Sequence, residues 1–108
     1  MKSVMPQQVI NKEITRGAVV RSMAGHDRGE LFIVLQVADG FAWLADGKSR
    51  RQGHPKKKRV LHVRTVSRLP DIAALDALEQ LGDPGQRDAA LRTLLRPFTL
   101  TIPEEEET

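Results

Sequence analysis

The chain contains no cysteine, so disulfide staples and thiolate metal sites are both closed to it, a composition that suits a reducing compartment. No window approaches the roughly eighteen consecutive apolar residues of a membrane span, and the opening stretch MKSVMPQQVINKEI lacks the apolar core of a secretory leader. A cytoplasmic protein with no membrane contact is expected. Aromatic residues are scarce: Phe32, Phe41, Trp43 and Phe98 are all there are, which leaves few platforms for stacking unpaired bases. Catalytic patterns are missing as well. Ser22, His26 and Asp27 are chain neighbours without a nucleophile elbow or oxyanion hole, and no glycine-rich phosphate loop runs into lysine and serine or threonine. His26, His54 and His62 stand too far from any acidic cluster to make a zinc site by spacing. No enzyme activity, cofactor or metal is expected, and 108 residues leave room for one small domain.

What the chain does have is concentrated positive charge. Residues 44 to 59, LADGKSRRQGHPKKKR, carry seven cationic side chains, Lys48, Arg50, Arg51, Lys56, Lys57, Lys58 and Arg59, against Asp46 alone. Such charges repel one another unless water or a polyanion relieves them, and each phosphate that they neutralise also releases counterions. A solvated flexible loop is the bland alternative. The charge is segregated along the whole chain: residues 16 to 68 hold twelve Lys/Arg and four Asp/Glu, net +8, while residues 69 to 108 hold three and nine, net −6. A basic module with an acidic appendage points to nucleic acid as partner.

Residues 1 to 16 show no sustained periodicity and read as a lead-in whose end docks on the domain. Ala18 to Met23 is a short β-branched run that breaks into the loop Ala24-Gly25-His26-Asp27-Arg28-Gly29. Glu30 to Ala38 and Phe41 to Ala45 read as an antiparallel hairpin around an Asp39-Gly40 type I′ turn. A two-residue turn predicts the pairs Ala38 with Phe41, Val37 with Ala42, Gln36 with Trp43 and Leu35 with Leu44. On that register Leu31, Ile33, Leu35, Val37, Ala42 and Leu44 share the face that fills a barrel interior. Phe32, Val34, Phe41 and Trp43 lie on the other, under the C-terminal segment or the lead-in, where Trp43 is expected to pack rather than to stack on a base. The Asp46-Gly47 turn leads into a basic loop, and Val60 to Val66 resumes strand character. Four or five short strands over residues 17 to 68 suggest a small SH3-like barrel, with an OB-like barrel as the alternative. Ile72, Leu75, Leu78 and Leu81 then recur at helical spacing. Asp83-Pro84-Gly85-Gln86 supplies the start of a second helix with a stripe of Leu91, Leu94 and Leu95 and an outward Asp88–Arg92 pair. The expected fold is thus mainly β with two short C-terminal helices over residues 71 to 97. Residues 98 to 108 end in Pro103 and Glu104 to Glu107, an acidic tail expected to be disordered.

In order, Gly17 with Val19 and Val20, the loop Ala24-Gly25 followed by Arg28 and Gly29, the Asp46-Gly47 turn and the basic run closing on His62 resemble a KOW domain. More narrowly, residues 17 to 63 are similar to bacterial KOW-domain RNA-binding proteins related to an archaeal and eukaryotic group of large-subunit ribosomal proteins. The resemblance implies an SH3-like barrel that binds structured RNA, with ribosomal RNA as the expected partner and ribosomal proteins as further candidates. Gly53-His54-Pro55 and the glutamate-rich end depart from the pattern.

Candidate RNA contacts are Arg21, Gly25, His26, Arg28, Gly29, Lys48, Arg50, Arg51, Lys56, Lys57, Lys58, Arg59 and His62. The lysines offer point charges to phosphates, the arginines bidentate contacts or stacking, and the two glycines close approach of the main chain. A structural alternative for the first loop is that its glycines only shape a turn and Arg28 pairs with Asp27 or Glu30. Two functions therefore stand: a monomeric, non-catalytic RNA clamp attached to translation, and a protein-interaction module whose basic loop is a solvated rim.

Overall fold

The computed structural model describes residues 14 to 67 and 69 to 99. Five strands, β1 (Val19–Ser22), β2 (Leu31–Ala38), β3 (Phe41–Ala45), β4 (Lys56–Arg59) and β5 (Val63–Thr65), precede two helices, α1 (Ile72–Glu79) and α2 (Pro84–Thr99). The strands form one antiparallel sheet in the order β4-β3-β2-β1-β5, with β4 and β5 as its open edges. Residues 1 to 13 and 100 to 108 lie outside the described residues, whereas Phe98 and Thr99, expected to open the tail, end α2.

The hairpin turn is as the sequence requires, with positive φ at Asp39 (52°) and Gly40 (83°). Pairing near the turn follows expectation: Ala38 with Phe41, Val37 with Ala42 and Gln36 with Trp43. Leu35 is where it departs. A bulge there lets Leu44 pair with Val34 and Ala45 with Ile33, and the one extra residue on β2 swaps which of its residues share a face with Ala42 and Leu44, Val34 and Phe32 in place of Leu35 and Ile33. Leu44 therefore joins Ala18, Val20, Phe32, Val34, Ala42 and Val63 in one buried cluster, closed by Ile14 and Val60. Val63 stands on one edge strand and Leu44 on the neighbour of the other, so the sheet curls around this cluster. Leu31, Ile33, Leu35, Val19 and Ala45 face the opposite way and pack against Leu75, Leu78, Leu91 and Leu95 of the helices, with Trp43 at the margin. The expected roles of the two faces are thus exchanged: the aliphatic side of β2 lies under the helices, and the Phe32 side forms the inner core.

Both helices start on aspartate caps, Asp71 accepting from Ala74 N at 3.1 Å and Asp83 from Gln86 N at 2.9 Å. Arg16 fixes α1 to the sheet. Its guanidinium donates to the bulge carbonyl of Leu35 at 3.0 Å and to Asp76 and Glu79 at 2.5 and 2.8 Å. Gly17 allows the same approach, since a Cβ there would sit about 3.0 Å from Ile72 N. On α2, the expected outward Asp88–Arg92 pair is not formed. Asp88 is buried and accepts from Gln52 N at 2.8 Å, while Arg92 donates to the Gly47 carbonyl at 2.6 Å. A side chain at Gly47 would run into the Asp88 carbonyl, so glycine is what lets the helix rest on this turn.

Candidate functional site

The basic run is not one loop. Its second half is edge strand β4, paired with β3 as Phe41 with Arg59, Ala42 with Lys58, Trp43 with Lys57 and Leu44 with Lys56. Alternation along a strand then sends its cations two ways. Lys56 and Lys58 turn toward the loop between β1 and β2, where they meet Asp27. Lys56 Nζ lies 2.8 Å from Asp27 Oδ2 and Lys58 Nζ 3.1 Å from Oδ1, and the Lys58 side chain is only 9% exposed. Lys58 also donates to the Ala24 carbonyl at 2.8 Å, and the Ser22 hydroxyl donates to Asp27 Oδ1 at 2.7 Å. Burial alone would raise the Asp27 pKa. The ion pair with Lys56, the hydrogen bonds from Ser22 and Lys58, and the Lys58 charge outweigh it and hold the carboxyl well below the usual range. Lys56 and Lys58 are therefore not loop charges indifferent to folding, and Arg28 is not the partner of Asp27.

This clamp gives the first loop its shape. Gly25 and Gly29 both have positive φ, 87° and 91°, and the loop closes through Gly29 N to Ser22 O at 2.8 Å and Arg28 N to Gly25 O at 3.1 Å. His26 and Arg28 project as exposed side chains. Arg21, half-buried on β1, donates to the Gly29 carbonyl at 3.2 Å and so supports the loop from below. His62 is exposed, and its carbonyl accepts from Met23 N at 2.8 Å.

The second loop is shaped by Asp46. Its buried carboxylate accepts from Lys48 N (2.8 Å), Arg50 N (2.7 Å) and the Ser49 hydroxyl (2.9 Å), which folds residues 46 to 50 into a tight turn. Lys48, Arg50 and Arg51 are left exposed at its surface. The two loops are neighbours in space: a shallow depression of about 240 Å³ is bounded by His26, Asp27 and Glu30 from one and Ser49, Arg50 and Lys56 from the other side.

Lys57 and Arg59 face away from this depression. Lys57 Nζ lies 4.5 Å from the ring centre of Phe41 and 5.4 Å from that of Trp43, with the Arg59 guanidinium 5.6 Å from Phe41. These contacts place two of the thirteen candidate residues on the helix-bearing side of the sheet. Sequence order alone could not divide the run, because the division depends on where the loop ends and β4 begins. It also left out Arg64, which is exposed and pairs with Arg21 across β1 and β5.

Among the described residues no group of three or more His, Cys, Asp or Glu side chains is placed to hold a metal, and no helix is long and apolar enough to cross a membrane. No protein-family model matches this chain, and no curated protein is similar enough in sequence to register as a relative.

Proposed function

We propose that this chain is a non-catalytic RNA-binding protein that clamps folded RNA, ribosomal RNA being the class of target, and that its curled sheet is an SH3-like barrel of KOW type. Strands β1 to β4 follow one another across the sheet and β5 returns beside β1, a connectivity that suits such a barrel. The observation that carries the functional reading is the meeting of two loops about twenty residues apart in sequence. Anchored by Asp27 and Asp46, they bring His26 and Arg50 to one depression and leave Arg28, Lys48 and Arg51 exposed on the same two loops, beside glycine backbone that a sugar-phosphate strand can approach. Fixed loops of this kind recognise backbone shape with little ordering cost on binding.

Reversing Lys48, Arg50 and Arg51 together to glutamate tests this directly, because all three are exposed and the turn is held by backbone groups. The variant is expected to melt as the native chain does and to lose binding to an rRNA hairpin by a hundredfold or more at about 0.1 M salt, on the order of tenfold or less per removed phosphate contact plus repulsion. Unchanged affinity in the folded variant would refute the reading.

A further inference from the structure

Residues 69 to 108 are acidic by composition, yet α2 turns its arginines toward the sheet. Arg87 donates to Gln52 Oε1 at 3.3 Å and to the Leu81 carbonyl at 2.7 Å, and Arg92 donates to the Gly47 carbonyl at 2.6 Å. Together with Asp88 bound to Gln52 N, these bonds lock the helix against the loop of residues 46 to 52. Beyond the lock, a cleft of about 730 Å³ opens between that loop, the start of β2 and the last turns of α2. Such a volume lies within the range of sites that hold small molecules or a length of bound polymer.

Three cations line the cleft: Lys48 from the loop, and Arg92 and Arg96 from one face of the helix at i, i+4 spacing. Two carboxylates also belong to its wall. Asp46 is already bound by two backbone N–H groups and the Ser49 hydroxyl, and Glu30 is exposed where the cleft meets the first loop. The guanidinium of Arg92 spends one N–H on Gly47 and keeps the rest of its fork, while the Arg96 guanidinium and Lys48 ammonium have no partner among the described residues.

We propose that this cleft is a second phosphate-binding site, which carries the RNA backbone from the two sheet loops onto α2. Lys48 is common to both regions and marks the continuous path. Arg96 is the outer donor, and Arg92 both braces the helix and lines the site. The inference rests on the RNA-binding reading above.

The test uses the full chain and a fluorescent rRNA hairpin titrated at several salt concentrations. Arg96→Ala is the probe, and Arg59→Ala is the control, with the same charge change at an exposed residue that lies over Phe41 and lines neither the cleft nor the depression between the loops. Arg96→Ala is expected to weaken binding about fivefold at 0.1 M salt and to make the log–log salt slope shallower by about 0.7, while Arg59→Ala stays within about twofold of the native chain. Equal losses in both variants would reduce the effect to bulk charge and overturn the site. Native affinity in Arg96→Ala, with the loss still seen on reversal of Lys48, Arg50 and Arg51, would take the cleft off the RNA path and leave the loop interface standing. Native affinity in Arg96→Ala and in the reversal of Lys48, Arg50 and Arg51 alike would sink the RNA-binding reading itself.

Discussion

At Asp27 one carboxylate joins three segments: the end of β1 through Ser22, its own loop, and edge strand β4 through Lys56 and Lys58. The sequence places Arg28 beside it, and a local pair is the natural expectation. Its actual partners lie about thirty residues away and become visible only once alternation along β4 sets Lys56 and Lys58 on one side. The aspartate's folded pKa is depressed, so the stabilisation is fully present above the unfolded value of about 4 and is lost as pH falls through the folded one. Asp27→Asn should therefore cost about 1.5 to 3 kcal/mol at pH 7, the range for a hydrogen bond to a charged group. In urea unfolding, the gap between variant and native chain should narrow steadily below about pH 4. A gap that is absent at pH 7, or that is independent of pH, would mean that the clamp adds nothing to folding.

At the scale of elements, the hairpin and the two helices were legible because their signals are local: an Asp-Gly turn between apolar runs, leucines at helical spacing, and an aspartate cap at Asp83; the matching cap at Asp71 emerged only in the structure. The bulge was not. Nothing within β2 marks Leu35 as an extra residue, and what holds it lies elsewhere, in Arg16 on its carbonyl and the helices over its side chain. Consequently Leu35 and Leu44 belong to opposite cores. Each change to alanine is expected to cost about 2 to 5 kcal/mol, and because the two side chains fill separate cores the double variant should show only weak coupling. Val34→Ala and Leu44→Ala, on facing residues, should couple more strongly. Strong coupling between Leu35 and Leu44 in that cycle would restore the unbulged register.

For the molecule as a whole, composition revealed that positive charge is concentrated in residues 16 to 68 but not which of it is free to meet a partner. Folding consumes part of that charge internally: Lys56 and Lys58 on Asp27, and Arg16 on Asp76 and Glu79. It also recruits Arg92 and Arg96 from the acidic stretch after residue 68 to the basic side, a juxtaposition that depends on how the helix docks at Gly47 and that no local pattern encodes. The central claim is that the surface left after this pairing binds RNA by its backbone. The most direct measurement is the affinity of the full chain for an rRNA hairpin as salt rises from about 0.05 to 0.5 M. Contact with four or five phosphates predicts a log–log slope of roughly −3 to −4; an affinity that barely responds to salt, as at a mainly apolar protein interface, would contradict it.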